Sequence, residues 1–215
     1  MYRPLRLACK PLTSLLASFF LASSSVILAQ QSTPIASPAG SSATQILGQY
    51  SIREGYQNGK WVQIFYGRPI KRERNLFYVP DWREALLDGA EVWRAGANVS
   101  TRLVTEVELE FAGTSIAPGE YTVFIDFGSS PEPGDWQFVL SRWPAQQNYD
   151  YENKTALWGA YEYTDAKDAV RAPMQVSKSD MSFDQLSWQF ADMNDGNGKL
   201  VLLWDDIRAT VSFSY

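Results

Sequence analysis

The residues best equipped for chemistry form a run of cations, Arg68-Pro69-Ile70-Lys71-Arg72-Glu73-Arg74, inside a chain that is acidic overall. Guanidinium groups present planar, bidentate donors that match carboxylates and phosphates, so Arg68 and Arg74 are candidate contacts for a small anionic or polar ligand. The competing reading is a solvated loop whose arginines pair with local Asp and Glu, because charge runs usually face water. A second motif, Val92-Trp93-Arg94-Ala95-Gly96-Ala97-Asn98, adds a ring at Trp93, a third guanidinium at Arg94 and a side-chain amide at Asn98. Its small residues at 95–97 let the backbone turn tightly and approach another segment, which equally suits a corner that locks a sandwich.

A third constellation is aromatic. The chain has eight Trp and eleven Tyr, and Trp143, Tyr149, Tyr151, Trp158, Tyr161 and Tyr163 cluster in one irregular stretch. Exposed planar rings bind sugar rings or flat apolar ligands. Packing of the loop over a sandwich edge is the plainer alternative, since aromatic side chains usually bury.

Weaker signals point to ordinary structure. Asp192-Met193-Asn194-Asp195-Gly196-Asn197-Gly198 has the composition of a calcium loop but not its order of ligands, and no Glu closes it, so a hairpin turn is expected and no metal site. Glu106, Glu108 and Glu110 alternate with apolar residues and belong on a wet face, and Asp205 and Asp206 are adjacent. Neither spacing assigns the paired carboxylates of glycoside hydrolysis. Beyond Cys9 the chain has no Cys, and it has no His at all. That removes disulfides, thiol nucleophiles, the usual zinc sites and every Ser-His-Asp arrangement. An enzyme here would have to rely on carboxylates, Lys, Tyr, Ser or an oxygen-ligated metal, and no cofactor is called for.

The elements that would position these residues read as strands. Period-two alternation runs through residues 61–66, 103–111, 121–127, 136–140, 170–176, 186–190, 200–204 and 209–215. Turn signals such as Ala117-Pro118-Gly119 and Asp195-Gly196-Asn197-Gly198 separate them. Residues 80–89, with Pro80 near the start and Gly89 at the end, predict one short helix. Roughly eight to ten short strands with so little helix predict an all-β fold, a single antiparallel β-sandwich of jelly-roll-like type.

The N-terminus reads as an export signal over residues 1–29. Arg3, Arg6 and Lys10 precede a serine-diluted apolar stretch that ends at Ala29, too polar for a span of about 20 strongly apolar residues. Cys9 lies before that stretch, where lipid attachment does not occur. Residues 30–44, rich in Ser, Pro, Ala and Gln, read as a flexible leader, and residues 45–215 as one domain. Removing the signal's three basic residues from 19 leaves 16 against 24 acidic, a net of −8. Such a surface does not attract nucleic acid or anionic membranes. The expected location is extracytoplasmic, periplasm or medium, with no transmembrane segment after cleavage.

Tyr66-Gly67-Arg68-Pro69 through Arg74-Asn75-Leu76-Phe77, together with Val92-Trp93-Arg94-Ala95-Gly96-Ala97-Asn98, resembles a bacterial family known as domain of unknown function 2911. Its pattern runs approximately Y-S-R-P-x-x-K-G-R-x-I-F and then V-W-R-T-G-A-N-E-A-T. Ala117-Pro118-Gly119-Glu120-Tyr121, Trp158-Gly159-Ala160-Tyr161 and Asp168-Ala169-Val170-Arg171 are similar to its later elements, so the likeness spans the domain from about residue 45. The resemblance implies an exported, β-rich protein and carries no activity with it. Arg68, Arg74, Trp93, Arg94, Gly96 and Asn98 fall on the pattern. Arg72 replaces its Lys, Glu73 its Gly and Val99 its Glu; if that Glu carries catalysis or metal binding in the family, this member lacks it, which counts against an enzyme.

Together these features favour a binding module using Arg68, Arg74, Trp93, Arg94 and Asn98. A structural or interaction role in the cell envelope comes second, and a carboxylate-dependent glycan hydrolase third. The arginine reading requires that residues 68, 74 and 94 converge on one cavity.

Overall fold

The alternation in residues 60–67 sets the pattern for the molecule: Val62, Ile64 and Tyr66 point inward while their neighbours face out. The computed structural model describes residues 35–130 and 132–215, so the expected export signal and the first residues of the expected leader lie outside the described part. In chain order the elements are β1 (Ala39–Ile46), β2 (Gln49–Ser51), β3 (Gly55–Gln57), β4 (Lys60–Gly67), α1 (Trp82–Leu87), β5 (Thr101–Thr105), β6 (Leu109–Phe111) and β7 (Thr114–Ile116). Then come β8 (Gly119–Asp126), β9 (Gln137–Ser141), β10 (Asp168–Pro173), β11 (Gln175–Asn194) and β12 (Asn197–Ser214).

They build the expected antiparallel sandwich. One sheet has the order β1-β4-β5-β8-β9-β10 and the other β11-β12-β6-β7, with β2-β3 as a separate hairpin. Side chains alternate across each strand, so Val62, Ile64, Leu103, Val123, Ile125, Phe138 and Leu140 meet Leu186, Trp188, Leu200, Leu202, Ile207 and Val211 in one core. One end of that core is aromatic. Trp93 stacks on Trp204 at 5.9 Å and 8°, Trp82 lies 4.9 Å from Phe127, and Phe127 lies 4.8 Å from Trp136. Among the described residues no helix is long and apolar enough to cross a membrane.

A second apolar cluster bears directly on function. Phe124 and Val139 point away from the core, on the outer face of the first sheet, yet both are fully buried. The excursion between β9 and β10, residues 142–167, folds back and covers them with Leu157, Ala160 and Tyr163. Backbone bonds Gln146 N–H to Leu157 O and Leu157 N–H to Pro144 O, both 2.8 Å, close this excursion on itself.

Several expectations are corrected. The leader was expected through residue 44, but Ala39–Ile46 is an edge strand paired along its length with β4. Ladder hydrogen bonds are made by backbone, so small polar side chains in an edge strand leave little mark on sequence. Residues 103–111 were expected as one strand; β5 ends at Thr105, whose Oγ1 binds Val107 O at 2.8 Å, and the chain then crosses to the other sheet as β6. Residues 170–176 likewise split at Met174, because Pro173 ends β10 and the chain changes sheet there. Residues 186–190 belong to the longer β11, and residues 200–204 and 209–215 are joined in the continuous β12. The helix forms as expected, anchored by buried Trp82. The 192–198 segment is the β11–β12 hairpin turn, with Asp195 and Gly196 at φ 48° and 74° as a two-residue hairpin loop requires.

Candidate functional site

The two arginine motifs do meet, through their backbones. A Cβ on Gly67 would sit 1.9 Å from Ala97 O, and one on Gly96 would sit 3.0 Å from Gly67 O. The small residues at 95–97 are therefore required by the crossing with the end of β4. The side chains then diverge. Arg68 lays its stem over Gly40 and donates to Leu186 O at 3.2 Å and Ser187 Oγ at 3.3 Å, tying β4 to β11. Arg74 donates to Lys71 O at 3.0 Å and Ile70 O at 2.9 Å, closing its own turn. Arg94 donates to Asn98 O at 3.2 Å and Tyr161 Oη at 3.4 Å, and lies 3.8 Å from Asp88. Asn98, at φ 63°, donates to Ser37 O at 3.1 Å. Trp93 is 2% exposed between Trp204 and Phe127, with its backbone paired to Ile125. Burial takes Trp93 off any surface a solute reaches, which corrects its reading as a ligand contact. The guanidiniums divide among three sets of partners, mostly carbonyls, and hold chain segments together.

Two further clusters are better placed for chemistry. Lys71, Ser182 and Asp205 form the first. Lys71 Nζ donates to Asp205 Oδ1 and, at 2.7 Å, to Ser182 Oγ; Ser182 Oγ donates to the same Oδ1 at 2.9 Å, and Leu76 N–H donates to Oδ2 at 3.2 Å. Asp205 is 6% exposed and left-handed at φ 51°. Burial pushes its carboxyl upward, but the hydrogen bonds from Lys71, Leu76 and Ser182 and the Lys71 charge outweigh it and hold the pKa below the ordinary aspartate value. So low a basicity makes Asp205 a poor base for Ser182, and the trio acts as an ion-paired staple between the 68–77 segment and β12. Beside it Lys178 pairs with Asp206 at 2.9 Å and lies 4.8 Å from the Tyr78 ring centre. Burial, then the Asp206 charge, raise the Tyr78 pKa against the lowering effect of Lys178. With its pKa lowered beside Lys71, Asp205 is not held as the protonated acid that glycoside hydrolysis needs. Glu106, Glu108 and Glu110 are exposed, as their alternation requires.

The second cluster is the aromatic stretch, and the structure splits it. Tyr163 and Trp143 pack inward. The Tyr163 hydroxyl donates to Asp168 Oδ2 at 2.6 Å and accepts from Arg171 at 2.8 Å, and Arg171 also pairs with Asp126 and Asp168. Burial and Asp168 raise the Tyr163 pKa against Arg171, and this ion-paired network supports the excursion. Tyr149, Tyr151, Trp158 and Tyr161 instead line a cleft of about 140 Å³. Tyr149 and Trp158 meet at 5.5 Å and 60°, forming two walls, and Tyr149 and Tyr151 are 65% and 68% exposed.

The loop carrying these rings is organised by one residue that the sequence did not signal. Gln146 is 7% exposed. The two hydrogens of its Nε2 are shared among the carbonyls of Asp150, Asn153 and Ala156 at 3.1, 3.0 and 2.9 Å, and its Oε1 accepts from Asp150 N–H at 2.8 Å. Asp150 and Asn153 add turns of their own by accepting from Glu152 N–H and Thr155 N–H. On the far side Arg94 sits 5.3 Å from the Tyr161 ring centre, and the Tyr161 hydroxyl donates to Asp88. Gly159, at φ 65°, makes room: a Cβ there would lie 2.9 Å from the Arg94 guanidinium carbon. Arg94 is thus the expected site residue that the fold brings to the cleft, as a support for its wall.

The family model described as protein of unknown function (DUF2911) matches residues 49–213. This chain is a DUF2911 protein. The match takes in both arginine motifs, the Gln146 loop and β12 up to residue 213, whereas β1 precedes it. No curated protein and no solved structure matches this DUF2911 chain.

Proposed function

We propose that this DUF2911 protein is a binding module, working outside the cytoplasm, that takes a small polar ligand with an apolar face at the aromatic cleft of residues 146–162. The observation that carries the reading is the display of two largely exposed tyrosines and Trp158 on a loop that a buried glutamine holds in place. Holding rings outward in a fixed loop lowers the ordering cost of binding, and nothing in the core requires those rings. The cleft's surroundings decide between an anionic and an uncharged or cationic ligand: Asp150, Glu152 and Glu162 outnumber Lys154, which is itself paired to Glu162 at 2.9 Å. Anions are disfavoured there. The extracytoplasmic setting rests on the N-terminal 29 residues.

Saturation-transfer NMR with a panel of monosaccharides, disaccharides and alkylammonium ions tests the reading. Binding of at least one member, abolished by Tyr149→Ala combined with Trp158→Ala, is expected. Signals that survive the double substitution unchanged would place the site elsewhere.

A second reading, an interaction role, is favoured by the β2–β3 hairpin, where Tyr50 and Ile52 are 74% and 95% exposed and Leu47 and Trp61 stand nearby. Self-association through it would show as concentration-dependent sedimentation that Ile52→Asp removes; an unchanged monomer at all concentrations ends this reading.

A further inference from the structure

We infer that the aromatic cleft recognises a quaternary ammonium group. The inference rests on the binding reading above and names its ligand class. Three observations separate this class from sugars. First, the neutral amide acceptors that would read hydroxyls are committed to the loop: Gln146 has both ends of its amide on loop backbone, and Asn153 Oδ1 accepts from Thr155 N–H and Oγ1 at 2.9 and 2.8 Å. What the cleft offers is ring surface and negative charge. A cation without N–H groups needs just these, since it attracts ring faces and carboxylates and requires no hydrogen-bond partner. A neutral sugar gains nothing from that charge, and a primary ammonium must desolvate N–H groups that a quaternary one lacks.

Second, the cleft lining has two carboxylates, Asp150 and Glu162, against one ammonium, Lys154. Third, its volume of about 140 Å³ is well below the roughly 300 Å³ at which drug-sized sites begin. It is close to the cavity of about 150 Å³ that accepts benzene. One compact head group fits, with the rest of the ligand outside. Rings of this excursion already carry cations: Arg94 lies 5.3 Å from the Tyr161 ring centre, and Lys167 Nζ lies 3.4 Å from that of Trp143.

The test compares choline chloride with its neutral isostere 3,3-dimethylbutan-1-ol, each titrated into the full chain and followed by amide and indole chemical shifts. The expected result is choline binding at least about tenfold tighter than the isostere. Choline binding should weaken with salt and be lost in Tyr149→Ala, a substitution at an exposed position that leaves the fold intact. Glu162→Gln should weaken choline a few-fold and leave the isostere unaffected. Equal binding of the two probes would overturn the inference. So would a sugar binding where choline does not, an outcome that leaves the binding reading standing. Absence of any ligand from the cleft would remove both.

Discussion

Replacing Gln146 by Leu keeps the side chain's bulk and removes its polar end, leaving the carbonyls of Asp150, Asn153 and Ala156 and the Asp150 N–H without their partner. The amide's two hydrogens and one accepting oxygen make three hydrogen bonds; at about 1 kcal/mol each, and more for a buried group left unpaired, the closed loop would lose about 4 kcal/mol. Water limits that loss. Leu157, Ala160 and Tyr163 stay anchored on Phe124 and Val139, so residues 147–156 open alone and rehydrate their backbone. The cost then falls to about 3 kcal/mol and is local. Hydrogen exchange reads it directly: the opening equilibrium of the Asp150 amide should rise about 100-fold, while the melting temperature falls by only a few degrees. Ligand affinity at the cleft should drop in parallel, because the open loop must be reordered on binding. Unchanged Asp150 protection, or a melting temperature lowered by tens of degrees with uniform loss of protection, would refute the assignment of Gln146 as the loop's organiser.

Other substitutions probe the supports. The lowered pKa of Asp205 means that its stabilising contribution is fully present above the unfolded carboxylate value of about 3.9 and lost as pH falls through the folded value. Asp205→Asn should therefore destabilise by about 3 kcal/mol at neutral pH and flatten the fall of the melting temperature as pH drops below about 4; parallel curves for the two proteins would contradict the staple. Gly67→Ala should cost more than about 3 kcal/mol or prevent folding, because the new methyl meets Ala97 O. Gly134→Ala, where the nearest atom is 3.9 Å away, should be neutral in the same denaturant titration.

The fold was legible wherever one face of a strand is wet. In β5 and β6 the buried residues Leu103, Thr105, Leu109 and Phe111 follow the period of two and Glu106, Glu108 and Glu110 stay outside. The same period gave no warning that the chain changes sheet between Thr105 and Leu109, because alternation records faces and not partners. In β8 and β9 the alternation fades: Phe124 and Val139 are as apolar as their neighbours because a distant excursion covers them. β1 was hidden by its small polar side chains, whose backbone does the pairing.

The site was legible in part. The aromatic stretch could be seen, but which rings turn outward depends on Gln146, and an isolated glutamine in a polar loop has no signature. The arginines drew attention by charge, yet carbonyls occupy their N–H donors through contacts such as Arg68 with Leu186, 118 positions apart, beyond the reach of any local pattern. What spacing did reveal was the tight backbone at 95–97, whose partner turned out to be Gly67.

The most direct test of the account is shift mapping of the isotopically labelled protein with choline as the added ligand. The account predicts movement of the Trp158 indole and of amides within residues 146–162, with the amides and side chains of Arg68 and Arg74 unmoved. Shifts centred on residues 68–74, with the cleft silent, would contradict it and return the function to the arginine motifs.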